Sequence, residues 1–184
     1  MTKHNVALLV ASTRKGSLNQ RLAKAIIRLS PPALTYTSVA MDDLPFYSED
    51  LEPSRPLSVQ TFVRGIQQAD AVCIVTPEYN RSIPAVLKNA IDWGSKPASE
   101  NVWRDKVIAI TGTSPGAIGT ALGQQHLRQI LAVQGAHVMP GEVYISFSRP
   151  DLIDDAGEVI IDGTKDFIAA FADKFASLIG RFAP

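Results

Sequence analysis

The residues best suited to chemistry lie in two polar loops, each of which follows a short apolar run. The first loop reads Ser12-Thr13-Arg14-Lys15-Gly16-Ser17-Leu18-Asn19. It opens a helix, so backbone amides and the positive end of the helix dipole face outward there. Three hydroxyl groups, two cations and an asparagine complete a donor set that suits a phosphate. The alternative is that Ser17 is only the N-cap of the helix, beside incidental polar neighbours.

The second loop contains an aromatic side chain and is stiffened by two prolines. It reads Thr76-Pro77-Glu78-Tyr79-Asn80-Arg81-Ser82-Ile83-Pro84. Tyr79 offers a flat face, and the backbone amides can hydrogen-bond the edge of a heterocycle. Pro84 is well placed as an early residue of the next helix, because proline has a fixed φ and lacks an N–H. An ordinary turn is the alternative interpretation.

Several well-known catalytic patterns are missing from the sequence. The first loop has neither the glycine pattern of dinucleotide-binding folds nor that of nucleoside triphosphatases. The single cysteine, Cys73, does not open the loop, which excludes a cysteine-dependent phosphatase, a cysteine-based zinc site and an internal disulfide. The three histidines lack the spacing of metal ligands. His126 and Glu142 lie in no acid–base motif, so we expect no catalytic side chain and no metal.

Short apolar runs alternate with amphipathic stretches, which is typical of a parallel α/β sheet. The predicted strands are Val6–Ala11, Leu34–Val39, Ala71–Thr76, Val107–Thr111 and Ala136–Met139, the last with a pattern that extends toward Ile145. Helical spacing of apolar residues predicts helices over 18–29, 59–66, 83–91, 122–131 and 167–182. We therefore predict one doubly wound domain over residues 1–184, with its ligand at the carboxyl ends of the strands.

Composition and charge limit the possible partners. With 46% hydrophobic and 20% charged residues, the chain is globular and not disordered. A formal net charge of zero argues against a nucleic-acid partner, which would require a basic excess. No apolar stretch is long enough to span a membrane, and the N-terminal run is too short for a signal sequence. We expect a cytoplasmic protein without a membrane partner.

Charge is unevenly distributed along the chain. Asp42 is the first acidic residue, and six cations precede it. Arg21, Lys24 and Arg28 repeat on one helix face, and we predict that this face is solvated. For the segment 143–162 we predict a solvated loop, with an arm over a neighbouring subunit as the alternative.

Taken in order, these loops resemble the NADPH-dependent FMN reductase family, and within it the chromate and quinone reductase branch. The likeness rests on Ser12-x-Arg14-Lys15-Gly16-Ser17-x-Asn19, Pro77-Glu78-Tyr79-Asn80 and Leu87-Lys88-Asn89-Ala90-Ile91-Asp92-Trp93. Further segments that fit are Leu44-Pro45-x-Tyr47, Gly112-Thr113-Ser114-Pro115-Gly116 and His126-Leu127-Arg128-Gln129-Ile130-Leu131. The likeness covers nearly the whole chain, and the paired loops are specific as a set.

The resemblance implies a fold, a cofactor and a set of binding residues. The fold would be flavodoxin-like, with a five-stranded parallel sheet in a three-layer α/β/α sandwich. The cofactor would be FMN, with NADPH or NADH as hydride donor, in a homodimer or homotetramer with FMN close to a subunit interface. The first loop would hold the FMN phosphate, the second would border the isoalloxazine ring largely through backbone groups, and Ser114 would close the site. The implied cofactor-binding residues are Ser12, Thr13, Arg14, Lys15, Gly16, Ser17, Leu18, Asn19, Pro77, Glu78, Tyr79, Asn80, Arg81 and Ser114.

The reaction expected from the resemblance is ping-pong. NADPH would give hydride to FMN and leave, and a small-molecule acceptor such as a quinone, a dye or chromate would then take the electrons at the same face. A flavodoxin-type electron carrier is one alternative, although such carriers tend to be strongly acidic. A nucleotide-binding α/β protein with a different chemistry is another. An azoreductase or a free-flavin reductase also stays open.

Arg81 departs from the pattern of chromate-reducing relatives, many of which have an aromatic residue at this position. Because guanidinium groups bind phosphates through paired hydrogen bonds, Arg81 is a candidate contact for an anion such as the 2′-phosphate of NADPH. An ion pair at a subunit interface is the alternative, and the sequence does not separate the two.

Overall fold

The computed structural model describes residues 2–182, and its centre is a parallel β-sheet. The strands are β1 (His4–Val10), β2 (Leu34–Ser38), β3 (Ala71–Val75), β4 (Val107–Ser114), β5 (His137–Val138) and β6 (Tyr144–Ser146). All pairings are parallel, in the order β2-β1-β3-β4-β5, and β6 also pairs with β4. This is the strand order of flavodoxin-like sheets, so the predicted fold class is confirmed.

Five α-helices cover both faces of the sheet. They are α1 (Leu18–Leu29), α2 (Leu57–Gln67), α3 (Ala85–Gly94), α4 (Ala121–Val133) and α5 (Asp162–Phe182), and two short 3₁₀ helices span Glu49–Ser54 and Ala98–Glu100. The apolar faces of α2, α3 and α4 share one buried cluster, and those of α1 and α5 share another. The domain is therefore the predicted three-layer sandwich. Within residues 2–182, no helix has the length and apolar character needed to cross a membrane.

The last position of the sheet is filled by two short strands instead of one. β5 pairs with the first residues of β4, and β6 pairs with its last three. Pro140 and Gly141, with φ +87°, lie between them and interrupt the pattern that extends from the predicted strand Ala136–Met139 toward Ile145. Proline cannot donate to a ladder, and a positive φ turns the chain out of the strand direction. Arg128 on α4 compensates the break by donating to the carbonyl of Gly141 and, at 2.8 Å, to that of Met139.

The cationic face of α1 is solvated as predicted at Lys24 and Arg28, which are exposed, whereas the Arg21 side chain is 25% exposed; all three side chains also have partners in a distant segment of the chain. Arg21 lies 2.7 Å from a carboxylate oxygen of Asp155, and Arg28 pairs with Glu158. Lys24 donates to the backbone carbonyl of Asp155 at 2.6 Å. The partners are 130 or more residues away in the chain, so helical periodicity alone had no information about them.

The segment that carries these partners is not the solvated loop that we predicted. Residues 147–159 form a strap over α1, and Phe147, Ile153 and Val159 of the strap are buried in the α1/α5 cluster. At Gly157, with φ +83°, a Cβ atom would lie 2.6 Å from the Cβ of Lys24. The apolar residues of the strap are few and irregularly spaced among charged ones, which gives no strand or helix pattern to read.

The motif at residues 87–93, which lies on α3, has a structural role. Asn89 accepts from the amide of Tyr47 at 2.8 Å and donates to the carbonyl of Pro45 at 3.0 Å. The buried indole of Trp93 donates to the same carbonyl at 2.7 Å and packs edge-on against Tyr47. These contacts fix the loop after β2, which contains Leu44-Pro45-x-Tyr47, against this helix.

Gly94 offers a direct test of the packing at the end of α3. A Cβ atom there would lie 2.6 Å from Nε1 of Trp103, whose fully buried indole is held by a 3.0 Å hydrogen bond to the carbonyl of Ile91. We expect Gly94→Ala to lower the free energy of unfolding by roughly 1–3 kcal/mol, since overpacking forces a locked side chain to move. Denaturant titration measures this change.

Gly180→Ala is the matched control. Gly180 lies in α5, is exposed and has no atom within 4 Å of the added Cβ. There alanine should raise stability by about 0.5–1 kcal/mol, because glycine is the poorer helix former. Equal effects at the two positions would contradict the packing described for Trp103.

Candidate functional site

Three loops meet at the carboxyl edge of the sheet. They follow β1, β3 and β4, and backbone hydrogen bonds continue the ladder into them. The amide of Ala11 donates to Val75 at 2.9 Å, and the amide of Thr76 donates to Thr111 at 3.0 Å. The first and second sequence-predicted loops therefore lie side by side, with the loop that follows Ser114 beyond them.

The first loop ends at a regular helix cap. The Ser17 hydroxyl accepts from the amides of Asn19 at 3.2 Å and Gln20 at 3.3 Å, which confirms its N-cap interpretation. Gly16 precedes it with φ +68°, a conformation that favours glycine. Capping uses the Ser17 side chain but leaves the amides before it free, so the cap does not exclude an anion site.

The donor set of this loop fits a phosphate. Among residues 2–182 no acceptor lies within hydrogen-bonding distance of the amides of residues 12–18. Thr13, Arg14, Lys15 and Gly16 are exposed, and the loop contains no acidic residue. Free amides at the start of a helix, with hydroxyl groups and cations beside them, attract a dianion. The structure thus contains a cradle of the kind that the FMN phosphate requires.

Asn19 makes a contact that the sequence did not indicate. Its carboxamide donates to the carbonyl of Thr113 at 3.0 Å and accepts from the amide of the same residue at 3.0 Å. Both residues are buried. The pair joins the first turn of α1 to the end of β4, and it uses the Oδ1 atom and one N–H of Asn19. A direct contact between Asn19 and the phosphate stays a prediction.

The second loop contains a tight turn with an unusual backbone. Tyr79 and Ser82 exchange two 2.9 Å backbone hydrogen bonds, and the residues between them, Asn80 and Arg81, have φ values of 50° and 65°. Two successive left-handed residues define a type I′ turn, which glycine would adopt at lower cost than arginine. Tyr79 is 50% exposed at the start of this turn. The backbone is thus held in one shape and presents an aromatic ring at the rim of the site.

Glu78 and Arg81 form an ion pair within this loop. One carboxylate oxygen of Glu78 accepts from the amide of Gly123, in the first turn of α4, at 2.9 Å. The other lies 3.4 Å from Arg81, whose side chain is 65% exposed whereas that of Glu78 is 8% exposed. Arg81 therefore has a partner in its own chain, and its guanidinium is still accessible to an anion.

Ser114 and its neighbours shape the third loop. The Ser114 hydroxyl donates to the carbonyl of Gly119 at 2.7 Å and accepts from the amide of Gly116 at 3.2 Å. At Gly112 a Cβ atom would lie only 1.9 Å from the carbonyl oxygen of Thr76, so only glycine allows β4 to approach the second loop this closely. Ser114 fixes the loop in this structure, and its closing of the cofactor site stays a prediction.

Two titratable side chains near the site, Cys73 and His126, differ in their surroundings. Burial raises the pKa of the Cys73 thiol to about 12, so it is a neutral core residue at physiological pH. His126 lies 3.0 Å from the Ser82 hydroxyl on the outer side of the second loop. Within the described residues, no group of three or more histidine, cysteine or acidic side chains is placed to hold a metal. The arrangement can bind and orient a ligand.

Comparison with known proteins gives close matches over nearly the whole chain. The family model for NADPH-dependent FMN reductases matches residues 4–149. A 2-hydroxy-1,4-benzoquinone reductase from a Burkholderia species is 41% identical over 175 residues, covering 95% of each chain. A quinone reductase from Pseudomonas putida is 42% identical over 178 residues, covering 96% of this chain and 95% of the relative.

A solved structure agrees in both sequence and fold. FerB, a flavoenzyme NAD(P)H:(acceptor) oxidoreductase from Paracoccus denitrificans, superposes with a TM-score of 0.93 at 39% identity. The match covers 97% of this chain and 98% of that one. The resemblance drawn from the loops is thereby confirmed, and the protein belongs to the family of NADPH-dependent FMN reductases.

Proposed function

We propose that this protein binds FMN and passes electrons from NADH or NADPH to quinones. The observation that carries the proposal is the row of free amides at residues 12–18, beside the exposed Thr13, Arg14 and Lys15 and next to the rigid turn of the second loop. Two relatives named as quinone reductases, each more than 40% identical, support the choice of acceptor class.

The residues of the first loop divide into those that bind and those that hold the loop. The amides, the hydroxyl groups of Ser12 and Thr13, and the cations Arg14 and Lys15 would hold the FMN phosphate. Ser17 and Asn19 maintain the loop through the helix cap and the bond to β4. Leu18 anchors it by packing on the α1/α5 cluster.

The second and third loops would hold the rest of the cofactor. The backbone of residues 77–81 would border the isoalloxazine ring, with Tyr79 at the rim and the loop after Ser114 closing the site. When bound, FMN would supply the redox chemistry, which is acceptance of hydride from the nicotinamide donor and release of electrons to the acceptor. The chain therefore has to provide binding, orientation and electrostatics.

The finer features of the reaction belong to the same proposal. The donor and the acceptor bind in turn at one face, which gives ping-pong kinetics, and dyes and chromate serve as further acceptors. The working form is a cytoplasmic homodimer or homotetramer. These statements rest on the family resemblance and are tested separately from FMN binding.

Visible absorption spectroscopy tests the core of the proposal. We expect protein saturated with FMN and desalted to retain the flavin absorbance. Adding NADPH or NADH without oxygen should remove this absorbance, and a later addition of benzoquinone should restore it, because in a ping-pong reaction each half proceeds without the other substrate. Retained absorbance that neither donor removes would favour an electron carrier. A colourless protein after desalting would contradict resident FMN.

A comparison of FMN with riboflavin tests the division of roles in the first loop. The double variant Arg14→Ala/Lys15→Ala should weaken FMN binding by about tenfold or more and leave riboflavin binding unchanged, since only FMN has a phosphate. Asn19→Ala should weaken both ligands to a similar extent, since it loosens the loop. Fluorescence quenching on titration of the apoprotein measures both affinities. A loss confined to FMN in Asn19→Ala would place Asn19 on the phosphate instead.

A further inference from the structure

A cleft of about 270 Å³ opens between the carboxyl ends of β1 and β2. It lies beside the first loop, because Ser12 and Thr13 are part of its wall. The same wall carries the polar side chains Gln20, Ser38 and Asp42, and apolar side chains complete it, among them Val39, Met41 and Val86. This cleft was not among the predicted site residues, apart from the two that it shares with the first loop.

Asp42 is the charged group of this cleft. It is exposed, and no hydrogen-bond or ion-pair partner lies near its carboxylate in the part of the chain that the structure describes. The residue before it, Met41, is buried and so fixes the backbone at the rim of the cleft. The next residue, Asp43, is equally exposed but lines a different groove, between β2 and α2. The two neighbouring carboxylates thus line two different grooves, which share Ser38, Val39 and Ala40 in their walls.

The chemistry of the cleft suits a sugar diol. A carboxylate has two oxygens and accepts hydrogen bonds from adjacent hydroxyl groups, while the Ser38 hydroxyl and the Gln20 amide can pair with further sugar oxygens. The apolar wall offers contact to a flat base. A phosphate placed against Asp42 would meet a like charge and be disfavoured.

We propose that this cleft binds the adenosine ribose of the nicotinamide donor and that Asp42 selects NADH over NADPH. The inference rests on the proposed function, because it concerns the donor of that reaction. The volume is below the range of roughly 300–1,000 Å³ typical of complete ligand sites, which agrees with a pocket for one fragment of a dinucleotide. The cleft adjoins the first loop through Ser12 and Thr13, so a donor bound in the cleft would stay next to the cofactor.

The test compares Asp42→Asn with Asp43→Asn, which make the same change of charge one residue apart. For Asp42→Asn we expect the ratio of kcat/KM for NADPH to kcat/KM for NADH to rise by about tenfold, as removal of one close like charge allows. For Asp43→Asn the ratio should stay within about twofold of the wild type. Thermal melting of both variants checks that each is folded, which we expect since both side chains are exposed.

A binding measurement provides a readout that does not depend on turnover. Calorimetry on the FMN-loaded protein should show that ADP-ribose binds more tightly than 2′-phospho-ADP-ribose, and that Asp42→Asn abolishes this difference. If Asp42→Asn and Asp43→Asn changed the preference between the two ADP-ribose probes equally, the cause would be the general electrostatic field, and the assignment to Asp42 would be overturned. An unchanged preference in Asp42→Asn would overturn it as well.

Arg81→Ala separates this inference from the alternative location of the 2′-phosphate. We expect the variant to affect NADH and NADPH equally. A loss of activity with NADPH alone would place the 2′-phosphate at Arg81 and contradict the role of Asp42. If the protein discriminates between the two ADP-ribose probes but oxidises neither donor, the proposed function fails while the ribose site stands.

Discussion

The reciprocal pair of hydrogen bonds between Asn19 and Thr113 is the contact on which the site depends. It joins the helix that begins at the first loop to the strand that ends at the third, across 94 positions of the sequence. Thr113 continues the connection, because its hydroxyl donates to the carbonyl of Ile145 on β6 at 2.7 Å. These bonds are buried. If one bonded group were removed, the other would stay buried without a hydrogen-bond partner, which costs free energy. Three elements are thus held in one relative position at the carboxyl edge of the sheet.

The N-terminal cations illustrate how the fold separates structural charge from functional charge. Arg21 and Arg28 are paired with carboxylates of the strap, and Lys24 with one of its carbonyls. Within the described residues, Arg14 and Lys15 have no such partner. A net charge of zero therefore conceals a first loop that is locally positive. An anion that approaches the carboxyl edge of the sheet meets this uncompensated charge first.

Rigidity at the site comes from its supports and not from the binding residues themselves. Glu78 ties the second loop to α4, and the two left-handed residues of its turn are held by paired backbone bonds. Asn89 and Trp93 fix the loop after β2 that leads past the cleft. Such preorganisation matters in a protein whose cofactor performs the chemistry, because geometry is what the chain contributes.

The sequence by itself determined the parts that depend on local pattern. The strands β1 to β4 and all five helices are readable because burial on both sides of a parallel sheet makes strands continuously apolar, and packing on a sheet gives helices an apolar stripe. The loops could be identified because their residue types follow strands directly. Only the tertiary structure decided which side chains pair across the fold: Asn19 with Thr113, Arg21 with Asp155, Asn89 with Tyr47. Such contacts join residues far apart in the chain, and no periodicity records them. Asp42 and Asp43 are identical neighbours in the sequence but line different grooves. Their surroundings are set by the ends of β1 and β2 and by α2, which only the tertiary structure brings together.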